Sequence, residues 1–100
     1  MWAYLNVRND VIAVNTIAVG SLTATVVHPR EVFKPALLCN AASVIVAHNH
    51  PSGNTTPSPE DTMAAKKLKN AAEILDIRLL DFIIIGDNDE YVSLMDRGVI

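Results

Sequence analysis

Two short apolar runs with a capped helix between them constrain this chain most. Residues 43–47 (SVIVA) and 79–85 (LLDFIII) are brief, β-branched and almost free of charge, as strands buried on both faces are. Between them, residues 59–75 carry Ala64, Ala65, Leu68, Ala72 and Leu75 at helical spacing, with Lys66, Lys67 and Lys69 mostly on the water side. Ser58 is a strong N-cap, Pro59 suits the first helical position, and Asp61 follows three residues after the cap. A strand, a helix and a second strand of this kind make a crossover, so the expected class is α/β.

Further elements flank this unit. Residues 2–8 and 11–19 read as strands joined by a turn at Asn9-Asp10, and residues 21–27 (SLTATVV) alternate as a half-buried strand does. His28-Pro29 is a boundary. Residues 30–40 look helical, with Val32, Phe33, Ala36 and Leu37 on one side; Pro35 implies a kink or a helix that starts near it. Residues 48–57 form a loop, 86–89 a turn and 91–94 a returning strand. Hairpins and crossovers together make the sheet mixed. The 100 residues fit a single domain, residues 1–100, without repeats or linkers.

Charge and cysteine content narrow the function. Eight basic against eleven acidic residues leave a net charge of −3, which argues against direct nucleic-acid binding. One cysteine, Cys39, excludes an internal disulfide and any multi-cysteine zinc cage; in a helix it is expected to be a small buried residue. No stretch has the length of a membrane span and the N-terminus is unlike a signal peptide, so a cytoplasmic location and no membrane partner are expected.

Reactive side chains concentrate in one place: His48, His50, Ser58 and Asp61. At a strand end, positions two apart point to the same side, so both imidazoles can turn toward one cation. A carboxylate in the next helix's first turn can supply a third ligand. Two histidines and a carboxylate leave a fourth position for water, the layout of a catalytic zinc site. Ser58 can donate to an oxyanion that develops when water attacks a carbonyl. The Ser58/Asp61 spacing is equally that of a helix cap, so this pair alone does not decide between the two roles. His28 reads as a strand-end residue, and Asp87, Asp89 and Glu90 as a solvated turn with too few ligands for calcium. A nucleoside or base deaminase would need H-x-E and a P-C-x-x-C pair, which one cysteine cannot supply.

The spacing His48-x-His50, seven residues, Ser58, two residues, Asp61 resembles the JAMM metalloprotease motif, H-x-H-x7-S-x2-D. The longer string HNHPSGNTTPSPED, with HPREVFKPAL upstream and LLDFIIIG downstream, is similar to the RadC family over essentially the whole chain. The resemblance implies a JAB/MPN domain of three-layer α-β-α, cytidine-deaminase-like architecture. It further implies zinc held by the residues matching His48, His50 and Asp61, with Ser58 assisting. The implied activity is peptide or isopeptide hydrolysis on a protein substrate, under a traditional DNA repair label; a non-catalytic interaction or scaffold module in DNA repair is the alternative.

Two departures stand out. The glutamate that serves such enzymes as general base would fall about two positions before Met1, so the chain reads as a fragment starting inside its first strand. Loss of such a base lowers the rate about 10²–10⁴-fold, leaving a zinc binder that is nearly inert. Phe82 follows Asp81 where the family often has histidine.

Overall fold

The computed structural model describes residues 1–15, 28–50 and 53–100. In chain order they form β1 (Trp2–Leu5), β2 (Val11–Asn15), α1 (Pro29–Leu38), β3 (Ser43–Asn49), α2 (Pro59–Leu75), β4 (Arg78–Ile85) and β5 (Tyr91–Ser93). The strand expected over residues 21–27, and the end of the one expected over 11–19, lie outside the described residues. The five strands make one sheet in the order β2-β1-β3-β4-β5. Only β3 and β4 are parallel, and α2 is the crossover between them; the other three pairings are antiparallel. The mixed α/β sheet expected from the sequence is therefore present.

Register decides which side chains share a face, because directly opposed residues point the same way. Trp2 lies opposite Val46 and Tyr4 opposite Val44. Val46 in turn lies opposite Phe82, His48 opposite Ile84, and Ile84 opposite Val92. This face is buried under α1 and α2, whose Val32, Phe33, Ala36, Ala64, Ala65, Leu68 and Ala72 complete the same core. The buried Tyr4 hydroxyl donates to the Val32 carbonyl at 2.6 Å and ties β1 to α1. The two helices touch each other, so of three expected layers the described residues supply the sheet and one layer of helices. That explains a correction: β3 was expected to be buried on both faces, but Ile45 and Ala47, on the side away from the helices, are only half-buried.

Other corrections have local causes. β1 stops at Leu5 because the Asn6 side chain accepts from the Arg8 and Asp10 amides, bending the chain into a turn that Asn9 completes at φ 64°. α1 starts at Pro29, where a missing amide costs nothing, and runs through Pro35, held by burial of Val32, Phe33 and Ala36. Cys39 is the exposed C-cap of this helix rather than a buried residue. β3 continues past Ala47 to Asn49, because its ladder with β4 runs on to Ile85; His48 is thus a strand residue, not part of a loop.

On the sheet's other face, Asp81 organises the end of the described chain. Its carboxylate accepts from the Ser93 hydroxyl at 2.6 Å, the Phe82 amide at 2.8 Å and the Met95 amide at 3.2 Å. Among the described residues no helix is long and apolar enough to cross a membrane.

Candidate metal centre

The end of β3 and the start of α2 meet at one carboxylate. Strand alternation turns His48 toward the helices along with Val44 and Val46, while Asn49 is exposed. His50 is the first residue beyond β3, and its amide still donates to the Ile85 carbonyl at 3.0 Å. Ser58 caps α2 and Asp61 is its third residue. The Asp61 amide donates to Ser58 Oγ at 3.1 Å, and the Ser58 amide donates to Asp61 Oδ2 at 2.9 Å, a complete capping box. The cap holds Asp61 in place beneath the histidines. His48 Nδ1 lies 2.8 Å from Asp61 Oδ1, and His50 Nε2 lies 2.8 Å from Oδ2. The rings meet edge to face, with centroids 5.0 Å apart.

Asp61 is only 2 % exposed. Burial pushes its carboxyl up, but the amide and hydroxyl of Ser58, the His48 hydrogen bond and the charge of His50 outweigh that. The group is held below its ordinary value of 3.8. The helix N-terminus acts in the same direction. The result is a carboxylate ready to serve as a ligand.

The donor chemistry fits a cation. A carboxylate only accepts, so each imidazole nitrogen facing it needs a positive particle between them, either a proton or a metal ion. The donor atoms of His48, His50 and Asp61 lie within 4.8 Å of one another. Tetrahedral zinc with bonds near 2.0 Å separates its ligands by about 3.3 Å, so a small opening of these contacts admits the ion. A nitrogen–nitrogen–oxygen set suits zinc and neighbouring transition metals. Nδ1 of His50 lies 2.7 Å from the Asn54 carbonyl and must carry a hydrogen there, which leaves Nε2 for the cation. Among the described residues His48 Nε2 is buried without a hydrogen-bond partner. The Phe82 side chain, buried in the core, is apolar and supplies none.

All four residues singled out in the sequence therefore converge. Others stay apart. His28 is exposed at the start of α1, and Glu31 lines a separate cleft of about 490 Å³ with Trp2, Asn15, Arg30 and Lys34. Asp87, Asp89 and Glu90 are exposed, as are Lys66 and Lys67. Sequence reasoning missed the Asn54 carbonyl and the packing of Gly53 against Gly86. A backbone acceptor carries no side-chain signal; the turn formers around Gly53 were the only trace.

Comparison with known proteins points to one family. The sequence model of the RadC-like JAB domain matches residues 1–99. A UPF0758 protein of Shouchella clausii is 56% identical over 95 residues, 95% of this chain and 41% of that protein. A UPF0758 protein of Methanosarcina acetivorans is 52% identical over 97 residues, 97% of this chain and 42% of that protein. One from Caldanaerobacter subterraneus is 52% identical over 94 residues, covering 94% and 40%. The chain thus spans about two-fifths of the length of these curated relatives.

Proposed function

The chain belongs to the RadC-like JAB domain family, and from that premise we propose that it holds one zinc ion between His48, His50 and Asp61. The domain is then the hydrolase-type unit of a RadC/JAMM protein acting on a peptide or isopeptide bond. One observation carries the reading: two imidazole nitrogens, each at 2.8 Å, converge on the two oxygens of one buried carboxylate.

When bound, zinc with three protein ligands keeps a fourth position for water and lowers that water's pKa toward about 7. The chain's own residues do the rest. Asp61 anchors both histidines, and the capping box keeps Asp61 from turning away. The Ser58 hydroxyl accepts from the Asp61 amide and places its own hydrogen on Oδ2 at 2.9 Å. That hydrogen is the one free to turn toward an oxyanion once Oδ2 is engaged elsewhere.

The register of β1 on β3 supports a reading in which a general base would be supplied from ahead of Met1. Met1 and Ala47 exchange main-chain hydrogen bonds, at 2.7 and 3.0 Å. Continuing that ladder ahead of Met1 by roughly two or three residues runs alongside His48 to His50. A zinc-loaded protein extended there with a glutamate is expected to cleave members of a peptide and isopeptide panel. Replacing that glutamate by glutamine lowers the rate about 10²–10⁴-fold.

A second reading, a non-catalytic interaction module serving DNA repair, has one observation in its favour. Among the described residues the cluster has three members, and a bound ion would take up all three, leaving none of them as a base. An extended, zinc-loaded protein that cleaves nothing on the panel establishes this second reading over the first.

A further inference from the structure

The ligand loop sits on the β4–β5 turn more closely than a side chain allows. A Cβ built on Gly86 falls 2.4 Å from the Gly53 carbonyl oxygen and 2.6 Å from Thr55 Cγ2. Real contacts do not come that near, and the first is to backbone, so the loop itself has to move. The Asp87 amide donates to the Gly53 carbonyl at 3.3 Å, and the Gly53 amide donates to the His50 carbonyl at 3.0 Å. Asn54, between the two residues that crowd Gly86, supplies the carbonyl that takes the hydrogen of His50 Nδ1. The turn is braced in its own right, with the Gly86 amide donating to Glu90 and the Glu90 amide to Asp87.

We infer that Gly86 is a positioning residue for His50: its bare α-carbon lets residues 53–55 settle where the Asn54 carbonyl fixes the ring with Nε2 toward Asp61. The inference rests on reading His48, His50 and Asp61 as a metal site. Partners of this kind fix the tautomer and orientation of a ligating imidazole, and their loss lowers metal affinity about 10–100-fold. Gly86 has no positive φ, so alanine there strains nothing but the contact with the loop. Gly98 is the matched control. Its φ of +73° makes alanine unfavourable, yet a Cβ there meets nothing within 4 Å.

The test is a Co²⁺ titration followed by visible absorption on the wild type, Gly86→Ala and Gly98→Ala, with circular dichroism on each. Gly86→Ala is expected to bind about 10–100-fold more weakly, with an altered cobalt spectrum and unchanged secondary structure. Gly98→Ala is expected to bind as the wild type does while melting earlier. Wild-type affinity in Gly86→Ala, or an equal loss in Gly98→Ala, overturns the inference. Should Gly86→Ala not fold, nitrogen NMR of His50 in the wild type decides. A hydrogen on Nδ1 supports the clamp, and a bare Nδ1 refutes it. The NMR result reads the clamp even if the wild type takes up no Co²⁺, an outcome that removes the metal reading instead.

Discussion

Asp61 and Asp81 are two carboxylates with crowded hydrogen bonds and different company. Asp81 takes a serine hydroxyl and two main-chain amides. Each of these donors keeps its hydrogen, so the group is satisfied as it stands and serves as a staple between β4 and the end of β5 with the segment after it. Asp61 takes the Ser58 amide and hydroxyl, which cap a helix, and two imidazole nitrogens besides. Imidazoles can exchange a proton for a metal ion; amides and hydroxyls in these roles do not. What separates a binding carboxylate from a structural one is therefore the chemistry of its donors, not their number.

The largest expected difference is in metal affinity. Asp61→Asn removes a ligand and should weaken Zn²⁺ binding by more than about 100-fold, whereas Asp81→Asn should leave it within about twofold; a competition titration with a chelating dye reads both. Stability moves the other way. Asp81→Ala removes the acceptor of the Ser93 hydroxyl and of the Met95 amide and should cost about 1–2 kcal/mol in urea unfolding, with the metal site intact. An Asp81 variant that lost metal as well would erase the contrast between the two sites.

Ser58→Ala tests the helix-cap half of Asp61's role. It should cost about 1 kcal/mol of stability in the metal-free protein, read from the urea midpoint.

The smallest effect is in acid. The folded-state pKa of Asp61 lies below the unfolded value of 3.8, so the unfolded chain binds more protons in that range. Its contribution is present above pH 3.8 and fades as the pH falls through the folded value. As the pH falls from 3.8 toward the folded value, the stability of the metal-free wild type should drop more steeply than that of Asp61→Asn. Equal slopes would mean that the Ser58 and histidine contacts do not favour the ionised form.

What was legible in the sequence is what local chemistry encodes. Ser58, Pro59 and Asp61 announced the start of α2, and strand alternation announced that His48 and His50 face one way. The four residues could thus be named as candidates, while spacing alone left Ser58 and Asp61 readable as a helix cap. The extent of β3 was not legible, because His48 and Asn49 owe their strand conformation to pairing with Ile84 and Ile85, far along the chain. Nor was the half-exposure of Ile45 and Ala47, which depends on both helices choosing the same face. Gly86 drew no notice as anything but a turn residue, since its role exists only in contact with Gly53 and Thr55. Nor is the exposure of Cys39 legible in the sequence, because the point where the last turn of α1 ends decides between core and solvent.

Zinc titration of protein prepared free of metal, followed by calorimetry, reaches the central claim directly. One equivalent bound by the wild type, and none of that binding left in a protein carrying His48→Ala and His50→Ala, is the expected outcome. No uptake by the folded wild type, or uptake that survives loss of both histidines, would contradict it.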